Sequence, residues 1–323
     1  MAQRLRQGAI AFPQIRIMVA LLALLALSGA IPAAELVQKP FQGVTWITRS
    51  EAQPREIHMQ IVLVDLRAPG IRLKLTAPGG ALETVRRTTL EFLRQEHAQI
   101  AVNAHFFLPF PSPGPDALLV GFAASEGIVY SGFETPEQSY AIVRDAPALN
   151  IGPTNLAGIV HRDPAFADGK HVTEDTPLWT AVAGSAQIIT EGVKTIPFYA
   201  DATHPGGLLT PGGPGGYSNS KSWYGALNAR TAIGLTHDGR TLLLFTVDAH
   251  GGSVGMSVGE VADLLIKDYG VFNALNLDGG GSTTLAMENP ATHAAEIRNV
   301  SSDNPAGRAV GSNLAIFAVA AKN

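Results

Sequence analysis

The stretch Val271-Phe-Asn-Ala-Leu-Asn-Leu-Asp-Gly-Gly-Gly-Ser-Thr-Thr-Leu285 decides how this chain is read. Its apolar run, Val271 to Leu277, ends at Asp278. Gly279, Gly280 and Gly281 follow, and then the hydroxyls of Ser282, Thr283 and Thr284. A short apolar run bounded by breakers reads as a buried strand. A carboxylate at its end, followed by residues free to take positive φ, makes an open turn whose amides can face a ligand. The structural alternative is a tight turn with a helix-capping Asp. Successive glycines carry a chain-entropy cost that a plain turn does not require, which favours a ligand site.

Upstream of this stretch the pattern is regular. Arg230 to Leu235 reads as a strand, His237-Asp-Gly-Arg240 as a hairpin turn, and Thr241 to Val247 as a strand that stops at Asp248. Ser257 with Glu260 forms a capping box. Val258, Val261, Leu265 and Tyr269 give the helix an inward face, and Gly270 ends it. Two strands therefore end in an aspartate, with one helix between them. Such a crossover sets the strands parallel and their C-terminal ends on one side, so Asp248 and Asp278 are expected to face one cleft. The structural reading of Arg230 is a buried ion pair with Asp248 or Asp278.

Nearer the N-terminus, Gln60 to Leu66 and Ile71 to Thr76 read as a hairpin turning at Ala68-Pro-Gly70. Thr88 and Glu91 form another capping box. The helix they start feeds a strand ending in Asn103-Ala-His-Phe-Phe107, and strand ends are where sheets place ligand contacts. Asn103 and His105 are therefore candidates, with a turn Asn and a surface His as the plain alternative. Leu118 to Tyr130 reads as a hairpin around Ser125-Glu-Gly127, and Ser312 to Ala320 as a last buried strand. Residues 201 to 225, rich in Gly and Pro, read as a long loop or lid. Trp223 and Tyr224 at its end could stack on a sugar or pin the loop.

Composition excludes several classes. Net charge is −4, so no basic surface argues for nucleic acid. Cysteine is absent, which removes disulfides, thiolate metal sites and thiol nucleophiles. Arg4, Arg6 and Arg16 precede an apolar segment, Ile17 to Leu27, which is well short of the roughly 20 residues a spanning helix needs. Small residues follow at Ser28-Gly-Ala30 and Ala33-Ala34. Residues 1–34 thus read as an export signal, with an uncleaved anchor as the alternative, and 35–323 as one domain of a periplasmic or secreted protein with no stable membrane span after signal removal.

Taken together, Asn103-Ala-His-Phe-Phe107, Arg230-Thr-Ala-Ile-Gly234, Asp248 after its strand, the capped helix and Asn276-Leu-Asp-Gly-Gly-Gly-Ser-Thr-Thr284 resemble the phosphodiester glycosidase family. The resemblance covers most of residues 60 to 320 and is densest from 228 to 320. It implies an α+β domain with a mixed β-sheet core and a few packed helices, and hydrolysis of a sugar from a phosphodiester. By position it implies a polar site of Asp278, Asp248, Arg230 and Asn103. Ser282, Thr283 and Arg308 match positions near that site. The chain departs from the family at Ala104-His105 and at Ala249-His250. The second change sets a mostly neutral imidazole where the family often has a permanent cation.

A phosphodiester releases a sugar with a weakly basic leaving group, so protonation matters little. Positive charge develops on the sugar ring and negative charge on the departing phosphate. A carboxylate suits the first and a guanidinium the second, roles that fit Asp278 and Arg230, with Asp248 activating water or holding the sugar. The amides of Gly279, Gly280 and Gly281 are available to the phosphate or a sugar hydroxyl. No cofactor is expected, although a divalent cation such as calcium would suit the acids. Two other readings stand beside this one. The first is a non-catalytic glycan-binding or exopolysaccharide-associated protein of the same fold. The second is a metal-dependent hydrolase built on His105, His250 and the aspartates. A nucleotide-binding loop is set aside, because Asp278-Gly-Gly-Gly-Ser lacks the lysine and the spacing.

Overall fold

The computed structural model describes residues 34–133, 139–213, 215–300 and 304–321. The export signal read over residues 1–34 therefore lies outside the described residues, apart from Ala34. No helix among the described residues is long and apolar enough to cross a membrane.

The architecture is α+β, as expected. One large sheet takes its strands in the order Ala34–Phe41, Val44–Glu51, Ile57–Asp65, Thr241–Val247, Arg230–Thr236, Val271–Asn276, Ala186–Thr190 and Val193–Lys194. A second sheet orders Ala295–Ile297, Leu285–Glu288, Ile100–Asn103, Asn313–Phe317 and Arg72–Leu75. Alternating residues build the layers. Val62, Val64, Ile233, Leu244 and Leu275 turn from the large sheet toward Ile100, Val102, Leu285 and Leu314 of the second, forming the main core. On the other face of the large sheet, Ala232, Leu243, Phe245 and Ala274 pack on the helix Val258–Tyr269. The helix Thr89–Glu96 covers the outer face of the second sheet through Phe92 and Leu93. The order of layers is thus helix, sheet, sheet, helix. A third sheet (residues 123–131, 148–160 and 180–183) and a three-stranded one (Thr84–Val85, Asp116–Leu119, Phe107–Leu108) complete the body.

Both capping boxes form. Thr88 and Glu91 bond reciprocally, as do Ser257 and Glu260, and Gly270 closes the second helix at φ 62°. The crossover runs as its length dictates: Thr241–Val247 and Val271–Asn276 are parallel in direction. They do not pair, because Arg230–Thr236 lies between them and is antiparallel to both. The ladders between the strands of the large sheet are consequently antiparallel. One expected hairpin is corrected. Ile57–Asp65 pairs within the large sheet and Arg72–Leu75 pairs with Asn313–Phe317 in the second. The turn at residues 65–71 therefore carries the chain between layers, because both strands' apolar sides face the same interlayer core.

Candidate functional site

The chain leaves the large sheet at Leu277, whose amide still bonds Thr231 O at 2.9 Å. One residue on, the Asp278 amide donates to Ala104 O at 3.0 Å, so Asp278 is held by the second sheet's strand end. Asn103 completes the junction. Its Nδ2 donates to Asp278 O at 2.6 Å, while its Oδ1 accepts from Thr231 Oγ1 at 2.9 Å and from Thr284 N at 3.0 Å. Gly280 to Ser282 then form one tight helical turn, and the Gly280 amide bonds Ala229 O at 2.8 Å.

Two of the glycines have separate reasons. A Cβ on Gly279 would stand 2.8 Å from Ala229 O. Gly280 sits at φ +58°, the left-handed region that strains other residues. Gly280→Ala is expected to lower the unfolding free energy by about 1–2 kcal/mol, read from the urea midpoint. An unchanged midpoint would argue against a left-handed residue at this turn.

The Asp278 side chain is 8% exposed and points into a cavity of about 280 Å³. That volume is near the lower end of the roughly 300–1,000 Å³ of ordinary ligand pockets. One wall is Phe106, Phe107 and Phe110, from the segment after Asn103. Tyr140, Tyr217 and Trp223 line it as well, Trp223 edge-on to Phe106 at 6.1 Å, with Asn228 beside the glycine turn. Burial pushes the Asp278 carboxyl up to about 7. The Ser282 hydroxyl, the Arg308 charge and the Gly279 amide pull the other way without cancelling that cost. Arg308 Nη1 donates to Ser282 Oγ at 3.1 Å, so Ser282 stands between guanidinium and carboxyl. The Arg308 guanidinium also rests 4.6 Å over the Phe110 ring.

The other expected residues are placed differently. Arg230 is 1% exposed and does not line the cavity. Its Nε donates to Met256 O at 3.1 Å and its Nη2 to Trp223 O at 3.0 Å and to Ala226 O. No ion pair joins it to Asp248 or Asp278 among the described residues, and its Nη1 has no hydrogen-bond partner there. Burial pulls its pKa down to about 10. The guanidinium lies 5.0 Å over the Trp223 ring, behind the cavity wall that ring forms.

Asp248 also lies apart from the cavity lining, for a reason of sheet geometry. Arg230 pairs with Val247, and successive strand side chains point to opposite faces. Asp248, one residue on, therefore leaves from the face opposite Val247 and the helix-side core. It is 3% exposed and burial raises its pKa. Its Oδ1 accepts from Asn299 Nδ2 at 3.0 Å. Asn299 also donates to Thr283 O at 3.1 Å and accepts the Leu285 amide at 2.8 Å. Asp248 thus reaches the glycine turn through Asn299.

His105, expected at the substrate, is completely buried. Nδ1 meets Ser312 Oγ at 2.9 Å, while Nε2 lies 3.1 Å from Phe122 O and accepts the Ala183 amide at 3.0 Å. Burial lowers its pKa to about 4, so it is neutral. Thr283 is buried against Thr231 at 3.3 Å. His250 is exposed, with Nδ1 against Ala249 O. His105, His250 and the aspartates therefore do not gather. No group of three or more His, Asp or Glu among the described residues is placed to hold a metal.

Several contributors were not singled out in the sequence. Phe106 and Phe107 carried a signal, being aromatic beside Asn103. Asn299, Asn228, Tyr140 and Tyr217 lie in irregular segments without periodicity. Of the pair at the end of the 201–225 segment, Tyr224 pins it, donating to Ala141 O at 2.8 Å, whereas Trp223 lines the cavity.

The human N-acetylglucosamine-1-phosphodiester alpha-N-acetylglucosaminidase is 44% identical over 61 residues, 19% of this chain and 12% of that protein, and the mouse enzyme is 41% identical over the same length. The aligned region is thus a small part of either relative. Among solved structures, the zebrafish enzyme's catalytic domain, described as auto-inhibited by its pro-peptide, superposes with a TM-score of 0.56 at 17% identity. That match covers 90% of this chain and 85% of that one. A hypothetical protein from Synechocystis gives 0.56 at 17%, covering 90% and 64%. These two likenesses speak for the fold. The profile of the phosphodiester glycosidase family matches residues 96–317, which hold Asn103, Asp278 with its glycine turn, and Arg308, and the chain belongs to that family.

Proposed function

We propose that this protein is a hydrolase that releases a sugar from a phosphodiester-linked glycoside. The observation that carries this reading is Asp278: a carboxyl with a pKa near 7, beside Arg308 and Ser282, at the floor of an aromatic-lined cavity. A strongly perturbed acid in a cleft is a mark of chemistry more than of passive binding. That favours turnover over a glycan-binding role for the same fold.

The ionised Asp278 carboxylate faces the anomeric carbon and offsets the positive charge that develops as the phosphate departs. Arg308, at the cavity, takes the guanidinium role on the phosphate that the sequence suggested for Arg230. Arg230 holds Trp223 and the 223–226 turn by their carbonyls. Asp248 and Asn299 hold the chain after the glycine turn. The substrate is carbohydrate in nature, and the reading of residues 1–34 as an export signal places the reaction in a periplasm or outside the cell.

Release of free sugar from a panel of sugar 1-phosphodiesters tests the proposal. Because the working form is ionised, kcat/KM is expected to rise with pH through about 7 and level above it. A falling limb there would make Asp278 a proton donor instead. Arg308→Met is expected to raise KM roughly 10- to 100-fold through the lost charged hydrogen bond. No sugar from any diester would overturn the reading.

A further inference from the structure

The cavity is unevenly furnished. Six of its thirteen lining residues are aromatic in a chain that is 7% aromatic. The rings fall into two groups. Tyr140 and Tyr217 stack at 5.7 Å, and Phe106 touches Trp223 edge-on at 6.1 Å. This end offers the two tyrosine hydroxyls, so it can satisfy a sugar. At the other end Phe107 meets Phe110 at 5.7 Å, and Arg308 lies over Phe110. Phenylalanine offers no hydrogen bond.

A phosphate held by Arg308 would set its outer ester group beside Phe110. That ring is 49% exposed. The outer lip is thus an apolar ring half-open to solvent. A sugar placed there would give up water around its hydroxyls and find no partners among these side chains. An alkyl or aryl group would gain from the same contact.

We propose that the aglycone is apolar: the substrate class is a sugar 1-phosphodiester carrying an alkyl, lipid-like or aryl group, with the sugar on the Tyr140, Tyr217 and Trp223 side. This deepens the glycosidase reading and rests on it. Bonds are unchanged from that reaction: water replaces the phosphate at the anomeric carbon, and the alkyl or aryl phosphate leaves intact.

The test uses one sugar 1-phosphate esterified with methyl, octyl, phenyl or a hexose, and compares kcat/KM for free sugar. Burying even two methylenes is worth about tenfold. The octyl and phenyl esters are therefore expected to exceed the methyl ester at least tenfold, with the hexosyl ester at or below methyl. Phe110→Ser is expected to shrink the octyl-to-methyl ratio by about tenfold, a ratio that a general loss of activity does not move. A hexosyl ester preferred to octyl, or a ratio unmoved by Phe110→Ser, would overturn the proposal. Should no ester release sugar, the glycosidase reading falls alone. Calorimetry with octyl methyl phosphate then judges the apolar lip: binding weakened by Phe110→Ser supports it, and no binding overturns it.

Discussion

Asp278→Asn is expected to cut sugar release by 10²- to 10⁴-fold and, at pH 8, to raise the protein's thermal midpoint. Both effects have one cause. The carboxyl has lost most of its water and gained only partial compensation from Ser282, Arg308 and the Gly279 amide. Its folded-state pKa of about 7 lies well above the 3.8 of an ordinary aspartate. A carboxyl with a raised folded pKa binds its proton more tightly in the native state. Its contribution favours folding below the unfolded pKa and is lost as pH rises from about 4 through about 7. At pH 8 the native protein therefore carries a penalty of up to about 4 kcal/mol, at 1.36 kcal/mol per unit. Asparagine has no charge to desolvate and escapes it. The stability gain is expected at pH 8 and should fade toward pH 4, as calorimetric scans across that range would show. Near-normal turnover would remove Asp278 from the chemistry, and a lower midpoint at pH 8 would contradict the buried-acid argument.

Asn103→Ala should act in the opposite way, losing stability and activity together. Asn103 is fully buried, and both ends of its amide are in use. Truncation leaves Asp278 O and the Thr284 amide without these partners and opens a small void. Two unsatisfied buried groups at about 1–3 kcal/mol each put the loss at about 3 kcal/mol. For a domain of this size that is a fall of roughly 6–12 °C in the thermal midpoint. Asp278 would also lose the bond that fixes its carbonyl, so kcat is expected to fall more than KM rises. A midpoint within a degree of the parent would show that Asn103 is not the joint between the sheets.

What could be read in the sequence follows from how local each signal is. The capping boxes at Thr88 and Ser257, the stop at Gly270 and the hairpin at residues 237–240 depend on neighbours a few residues apart. Each forms where the residue types demand it. The parallel sense of the two aspartate-ended strands was legible for the same reason, since a single helix crosses between them. Which way a side chain then points depends on register. The pairing of Arg230 with Val247 sends Asp248 to the far face, and no run of residues announces that pairing. Likewise Gln60 to Leu66 and Ile71 to Thr76 look like a hairpin locally, and only the demand for an interlayer core separates them. Asn299 shows the limit: one amide in an irregular stretch, meaningful only through three partners distant in the chain.

That stretch also bears on how the protein can be altered. Between the strands Ala295–Ile297 and Asn313–Phe317 the described residues, 298–300 and 304–312, make what looks like an ordinary irregular connection, the kind usually trimmed or swapped with impunity. Here it returns two side chains to the site: Asn299 to the back of the glycine turn and Arg308 to its front. A shortened or transplanted version that keeps the sheets but loses either anchor would fold around a slack turn. Variation in this protein is better tolerated at the exposed hairpin tips, and a redesign of its specificity has to carry Asn299 and Arg308 along as part of the site.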